Sequence, residues 1–150
     1  MLQEIININS IKVGLIAKDK DDLLKVMVDL ANNSDKLKDK DRALKEIIHR
    51  EEIMSTGIGF GVALPHAKTG AVEDTIIAIG VLAEAIDFQS LDNVPVNLVF
   101  LILGRENNVG LHLKLLSRIS HLMNNAEFKE KLLAAKDETT AYNLIKEYDA

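Results

Sequence analysis

Two apolar runs in the second half of the chain constrain its fold more than any other feature. Residues 75–83 and 96–103 are almost entirely apolar and rich in β-branched side chains, and the second run ends at Gly104. Because neither run alternates between apolar and polar residues, each predicts a strand that is buried on both faces. Helices must then cover both sides of the sheet. The sequence predicts an α/β fold, a three-layer sandwich in which a small mixed β-sheet is flanked by helices on both faces.

The rest of the chain supplies helices for such a sheet. Apolar residues recur with helical spacing in five segments, residues 23–31, 43–48, 111–122, 128–133 and 141–148. Most of these segments follow residues that can cap a helix, namely Asp19 or Asp21, Asp39 or Asp41, Asn107 or Asn108, and Asp137 or Thr139.

Shorter patterns fill the intervening stretches. Apolar residues alternate over positions 11–15 and predict a first short strand, whereas residues 68–74 and 84–94 are predicted to be connections. The chain has no internal repeats, low-complexity tracts or linkers. Since a chain of this length can bury a core without disulfides or metals, residues 1–150 are predicted to form a single domain.

Composition excludes several classes of function. The chain has no cysteine, which rules out disulfides, thiolate metal sites and thiol nucleophiles. Its formal net charge is −5 and its basic residues form no cluster, so nucleic acid is not an expected partner. The apolar runs are far shorter than the roughly 20 residues of a membrane-spanning helix, and the N-terminus does not resemble a secretory signal. We therefore expect a cytoplasmic protein without direct membrane insertion.

A glycine-rich stretch carries the first candidate functional residue. Three glycines alternate between positions 57 and 61, and residues 62–64 form a short apolar run that predicts a buried strand. Alternate glycines allow tight turns and close approach of the backbone. Pro65 cannot donate to a strand ladder, so the strand should end there and place His66 at its end. His66 is a candidate nucleophile or ligand-binding residue.

Two further residues could share a site with that histidine. His112 is predicted in the first turn of a helix, where the helix dipole favours the neutral imidazole and binds anions. Arg50 offers a permanent cation that could clamp phosphate. Structural roles stay open for both residues, because a helix-end histidine can be a cap or a surface residue and a long cation can extend along a core face to water. His49 and His121 are expected to be solvated helix residues.

Several well-known active-site motifs do not occur. The spacing of the three glycines differs from a dinucleotide-binding fingerprint, and no phosphate-loop lysine follows them. Gly-x-Ser-x-Gly and His-Glu-x-x-His are also absent. A zinc site built from His66, His112 and a carboxylate is chemically conceivable, although the sequence offers no tight ligand spacing for it.

Two blocks of sequence resemble one known family. The first consists of Arg50-Glu51 followed by STGIGxGVALPH at positions 55–66. The second consists of Asp87-Phe88, then DNxPV at positions 92–96, an apolar strand and His112-Leu113. Together they are similar to the fructose/mannitol-type (type 2) enzyme IIA of the bacterial phosphoenolpyruvate:sugar phosphotransferase system. The resemblance spans almost the whole chain and is strongest over residues 50–123.

This resemblance implies a function, a site and partners. It implies a phosphotransferase whose His66 accepts a phosphoryl group from the phosphocarrier protein HPr and passes it to a cysteine of an enzyme IIB. It further implies that His112 hydrogen-bonds the phosphoryl group and that Arg50 neutralises its charge, while Ser55 and Thr56 lie on a polar approach and contribute to binding. It implies no cofactor and no metal, because both partners of the transfer are protein side chains.

Two other functions remain open at this stage. The second block is as similar to the nitrogen-related enzymes IIA, which regulate other proteins by phosphorylation-dependent binding, as to the sugar-transport members. A domain that keeps the fold without the chemistry is the third possibility. For a phosphoryl carrier we expect a shallow apolar surface around His66, with Arg50 and His112 at its base, because two partners must reach the histidine in turn.

Overall fold

The computed structural model describes residues 1–149 and consists of one mixed sheet and six helices in the described part of the chain. In chain order the elements are α1 (Leu2–Ile5), β1 (Ile11–Leu15), α2 (Lys20–Ala31), α3 (Lys40–Ile53), β2 (Gly57–Gly59), β3 (Val62–Ala63), β4 (His66–Thr69), β5 (Ile76–Ile86), β6 (Val96–Arg105), α4 (Val109–Met123), α5 (Ala126–Leu133) and α6 (Glu138–Asp149). One turn of 3₁₀-helix, Ile8–Ser10, precedes β1.

The sheet has six strands around the long central strand β6. Its order is β1-β5-β6-β3-β2, and β4 also pairs with β6. The pairs β1–β5, β3–β6 and β4–β6 are parallel, and the other two, β5–β6 and β2–β3, are antiparallel. Since Val62 lies opposite Leu98 and His66 opposite Ile102, β3 and β4 follow one another along the same edge of β6.

Two separate hydrophobic clusters fill the layers on either side of this sheet. Alternate residues of β5 divide between them: Ala78 and Leu82 pack with α2 and α3, whereas Ile77 and Ile79 pack with α1, α4, α5 and α6. Strands β5 and β6 are therefore buried on both faces over most of their length. This arrangement confirms the α/β three-layer sandwich with helices on both faces.

Side-chain caps fix where most helices begin. Asp19, Asp39, Asn108 and Asp137 each accept a hydrogen bond from the backbone N–H three residues later, at 2.7–3.3 Å. Asn125 caps α5 in the same way, with Phe128 N–H as the donor at 3.2 Å. Each cap satisfies an N–H that has no partner inside its own helix. The structure thus selects one residue from each pair of alternatives.

The boundaries differ from the sequence-based prediction in five places, and one of them is β6, which continues past Gly104 to Arg105. Residues 68–74 are not wholly a connection, because Lys68 and Thr69 complete β4, and residues 84–94 are not wholly a loop, because β5 extends to Ile86. Strand β2 forms within the glycine-rich stretch, and α1 was not predicted. Pairing with β6 or β3 supplies the backbone hydrogen bonds that stabilise these short strands, and local sequence does not reveal that pairing.

Candidate active site

His66, His112 and Arg50 lie together in one cavity at the edge of the sheet. The cavity has a volume of about 590 Å³ and is bounded by β4, α3 and α4. The described residues that line it are Lys45, Glu46, His49, Arg50, His66, Ala67, Lys68, His112, Leu113 and Leu116. The His66 and His112 rings face each other at a centroid distance of 5.5 Å and an angle of 49°. The fold therefore assembles the three residues that the sequence singled out.

Pro65 shapes the backbone that presents His66. Strand β3 ends at Ala63 and β4 begins at His66, so Leu64 and Pro65 lie between two strands that share β6 as a neighbour. The carbonyl of Pro65 still accepts a hydrogen bond from Ile102 N–H at 3.0 Å, which keeps the segment in register. His66 is thus at the beginning of β4, whereas the sequence analysis placed it at the end of the preceding strand.

A backbone hydrogen bond fixes the tautomer of His66. Its Nδ1 lies 2.8 Å from the carbonyl oxygen of Leu64. A carbonyl can only accept, so Nδ1 carries the proton and Nε2 carries the lone pair. Burial is the main reason that the pKa of His66 is lowered, and Arg50 lowers it further, while the bond to Leu64 and the charge of Glu51 oppose the shift. The ring is therefore neutral at pH 7, with a nucleophilic Nε2.

His112 is the deeper of the two histidines. It lies in the first turn of α4 and is only 4% exposed. Burial, and then the electrostatic influence of His66 and Lys68, lower its pKa to about 4. The sequence analysis expected a neutral His112 because of the helix dipole, whereas here burial is the largest cause. Its Nδ1 is buried against Gly104 and has no hydrogen-bond partner in the described residues, which leaves Nε2 as the nitrogen that could contact a ligand.

Gly104 makes room for this buried ring. A Cβ atom at position 104 would lie 2.5 Å from His112 Nδ1, which is closer than real contacts allow. Gly104 lies near the end of β6, directly opposite Lys68 of β4. From the sequence, Gly104 is predicted only to end a strand. The space that Gly104 leaves for the His112 ring is apparent only when α4 packs against β6.

Positive charge surrounds the two imidazoles. The half-buried Arg50 donates from Nη1 to the Met54 carbonyl at 3.1 Å, which holds it at the C-terminal end of α3. Lys68 follows His66 by two residues and shares its face of β4. Within residues 1–149 neither cation, nor Lys45 on α3, forms a salt bridge. The cavity is thus cationic, although the chain carries a net charge of −5.

Ser55 and Thr56 lie outside the cavity lining. Thr56 is 5% exposed and donates to the Glu51 carboxylate from its backbone N, at 2.7 Å, and from Oγ1, at 2.5 Å. Ser55 Oγ accepts a hydrogen bond from Gly57 N–H at 3.1 Å. Both hydroxyl groups thus have partners within the protein. A binding role for these two residues stays a prediction.

Sequence reasoning missed three residues that shape the site: Glu51, Lys68 and Gly104. Alternation along β4 could have indicated Lys68, had β4 itself been predicted. His49 is exposed as expected but lines the cavity, whereas His121 is exposed and does not. The surface around His66 includes the apolar Leu113 and Leu116, with basic side chains beside them.

The described residues contain no group of three or more His, Cys, Asp or Glu side chains placed to hold a metal ion. None of the helices in residues 1–149 combines the length and the apolar character that crossing a bilayer requires.

The sequence places the chain in a family. Residues 4–148 match the family described as phosphoenolpyruvate-dependent sugar phosphotransferase system, EIIA 2. The chain belongs to this family. It is 36% identical over 148 residues to the PTS system fructose-specific EIIABC component of Bacillus subtilis (strain 168), an alignment that covers 99% of this chain and 23% of that protein. It spans less than a quarter of that relative's length.

Two shorter relatives match over most of their own length. The PTS system fructose-specific EIIA component of Haloferax volcanii is 36% identical over 128 residues, which cover 85% of this chain and 83% of that protein. The crystal structure of the nitrogen regulatory protein IIA-Ntr from Neisseria meningitidis superimposes with a TM-score of 0.88 at 26% identity, covering 96% of this chain and 98% of that one. The chain is thus an enzyme IIA phosphotransferase component, similar to both a sugar-specific and a regulatory protein.

Proposed function

We propose that the chain is a phosphoryl carrier in which His66 Nε2 accepts a phosphoryl group from phospho-HPr and passes it to an enzyme IIB cysteine, coupled to sugar uptake. The observation that carries this proposal is the hydrogen bond from His66 Nδ1 to the Leu64 carbonyl, which leaves the Nε2 lone pair free in a cationic cavity. We further propose that residues 1–150 act as one enzyme IIA domain in the cytoplasm.

The phosphoryl group moves by in-line displacement. The Nε2 lone pair forms a bond to phosphorus while the bond between phosphorus and the donor atom of HPr breaks, and that electron pair leaves with the donor. In the second step an enzyme IIB thiolate attacks phosphorus, and the pair of the P–N bond returns to Nε2. The proton stays on His66 Nδ1 throughout and remains hydrogen-bonded to the Leu64 carbonyl, so the nucleophile needs no base. Such transfers depend on position and on charge stabilisation.

The surrounding residues supply that stabilisation. Arg50 provides a fixed positive charge close to the developing charge on the phosphoryl oxygens. A neutral His112 can donate its Nε2–H to a phosphoryl oxygen, since its ring lines the cavity and faces the ring of His66. A nearby phosphoryl dianion also favours protonation of His112, which would add a second charge after transfer.

Phosphorylation of the pure protein by phosphoenolpyruvate, enzyme I and HPr tests the proposal. Intact mass and acid lability should show one acid-labile phosphoryl group in wild type, none in His66→Ala and a slower gain in His112→Ala. His121→Ala is the matched control, because this exposed histidine of α4 does not line the cavity, and it should behave as wild type. A phosphorylated His66→Ala protein would refute the assignment of the nucleophile.

A regulatory role is the second candidate. The similarity to the Neisseria IIA-Ntr structure, which covers 98% of that chain, favours it. In this case the phosphorylation state of His66 would control binding to other proteins, with no onward transfer. A chase of the phosphorylated protein with enzyme IIB separates the two roles: rapid loss of phosphate indicates transport, and a stable adduct indicates regulation.

A further inference from the structure

Glu51 is a buried carboxylate beside the proposed active site that the transfer itself does not use. It follows Arg50 directly in α3 and is 6% exposed. Its Oε1 lies 2.9 Å from Lys20 Nζ, and Lys20 Nζ in turn lies 4.6 Å from the centre of the Phe88 ring. Burying such a group costs free energy unless its oxygens are well paired. Its two oxygens therefore need partners besides Lys20, and Thr56 provides them.

Those partners lead to His66 through three consecutive links. The Glu51 carboxylate accepts two hydrogen bonds from Thr56, at 2.7 Å from N and 2.5 Å from Oγ1. The Thr56 carbonyl accepts from Leu64 N–H at 2.9 Å. The Leu64 carbonyl accepts from His66 Nδ1 at 2.8 Å. The chain of contacts thus runs without a gap from a side chain of α3 to the imidazole on β4.

The Leu64 carbonyl is not held by a strand of its own. Leu64 lies between β3 and β4, so its carbonyl belongs to neither strand. On the other side of Thr56, β2 pairs with β3 through Gly57 opposite Ala63. The Thr56–Leu64 bond therefore continues the β2–β3 pairing by one more contact, and Glu51 holds the outer end of that contact in place.

We propose that Glu51 is a positioning residue, acting through Thr56 and Leu64 to hold His66 in the Nδ1–H tautomer that leaves Nε2 free to accept the phosphoryl group. This inference rests on the proposed function for its catalytic consequence, whereas the tautomer itself is a property of the unphosphorylated protein. Because Arg50 and Glu51 are adjacent in α3, the same helical turn carries a charge for the phosphoryl group and the anchor for its acceptor.

Imidazole ¹⁵N–¹H correlation spectra of the full chain test the proposal directly, with a His66→Asn variant to assign the ring. Wild type should show His66 as a single Nδ1–H tautomer. Glu51→Gln should give a mixture of tautomers, because one amide oxygen replaces two carboxylate oxygens that accept from Thr56 and Lys20. Thr56→Val should shift the tautomer population in the same direction by a smaller amount. Thr56→Ser keeps the hydroxyl and should give the wild-type spectrum.

Thr75→Val is the matched control, since Thr75 is 3% exposed and lies outside the chain of contacts. Thermal melts identify the variants that fold. The single-turnover rate of phosphorylation should fall about tenfold in Glu51→Gln, with the KM for phospho-HPr within about twofold of wild type. A rate loss without a tautomer change would overturn the proposal, as would the same tautomer change in Thr75→Val.

The two proposals fail in different ways. If the wild-type protein takes no phosphoryl group, the proposed function fails, and the spectra still decide whether Glu51 sets the tautomer. If wild type is phosphorylated and the spectra of Glu51→Gln and Thr56→Val match it, the carrier function stands and the positioning role is wrong.

Discussion

At the scale of single residues, the two histidines of the cavity are neutral for the same main reason and differ in what surrounds them. Burial lowers both pKa values. His66 Nδ1–H donates to the Leu64 carbonyl, whereas His112 Nδ1 is buried against Gly104 with no hydrogen-bond partner among residues 1–149. In the proposed transfer, the His66 ring attacks phosphorus and the His112 ring contacts the phosphoryl oxygens.

The low pKa of His112 predicts a pH-dependent stability. Since its folded-state pKa of about 4 lies below the unfolded value, the unfolded chain binds the proton first. Above about pH 6.5 the histidine is neutral in both states and its protonation does not affect stability. As the pH drops from there to about 4, the free energy of unfolding falls by about 3 kcal/mol on account of this residue. Denaturant titrations of His112→Gln should lack this component between those pH values, and His121→Gln should retain it. Identical pH profiles for wild type and His112→Gln would contradict the prediction.

Gly104 should tolerate no side chain. In Gly104→Ala the new Cβ would overlap His112 Nδ1, so the ring must move, and we expect the phosphorylation rate to fall by about tenfold. Gly110→Ala, on the helix that carries His112, is the control, because the exchange there brings no new contact within 4 Å of the added Cβ. Quench-flow rates for both variants test this, and an unchanged rate in Gly104→Ala would show that the position of His112 is not critical.

At the scale of elements, the glycine-rich stretch serves two purposes. Gly59 and Gly61 have φ of +97° and +83°, which suits the turn between β2 and β3. Gly57 has no such conformation, and its hydrogen atoms instead face Ser90, whose Oγ and Cα would lie 2.1 and 3.2 Å from an added Cβ. The glycine at position 57 lets β2 pack directly on the loop that follows β5.

Gly57→Ala should therefore destabilise the fold, although alanine is allowed by the backbone. We expect a loss of roughly 1–3 kcal/mol in the free energy of unfolding, because part of the clash is with the backbone of Ser90. Adding Ser90→Gly removes the closest atoms and should recover at least half of the loss. Urea denaturation measures both variants, and an additive effect of the two changes would mean that they do not share a contact.

The elements that sequence patterns predicted are those that bury much apolar surface on their own. Strands β5 and β6 and helices α2 to α6 all show clear patterns. Strands β2 and β4 do not, because three and four residues of mixed character become strands only through pairing with β3 and β6. The same limit applies to the site: its histidines and arginine were predictable as candidates, whereas Lys68, Gly104 and the carbonyl of Leu64 became visible only with β4 and α4 in place.

At the scale of the whole molecule, the site lies where the two helical layers meet. Arg50 comes from α3 on one face of the sheet and His112 from α4 on the other, and β4 at the edge carries His66 between them. The same edge concentrates unpaired cations on an otherwise acidic chain. An approaching phosphorylated partner should thus be attracted to this edge more than to the rest of the surface.

Lys68→Glu tests this attraction. At low ionic strength the second-order rate of phosphorylation should fall by about tenfold, and the deficit should shrink as salt screens the charge. Lys146→Glu changes the charge equally but lies on α6, which contacts β1 at the opposite edge of the sheet, and it should stay within about twofold of wild type. Equal losses in both variants would show that net charge, and not the local field, controls association.

The hydrogen bond from His66 Nδ1 to the Leu64 carbonyl, the tether of His66, also has a consequence for how freely this sequence can vary. The acceptor is a main-chain oxygen, which every amino acid possesses, so exchanging Leu64 for another side chain that fits its buried position removes nothing from the tether. Functional importance and the identity of a residue are therefore uncoupled at position 64. A comparison of many variant sequences would rank that position as tolerant, although the atom it contributes sets the chemistry of its neighbour.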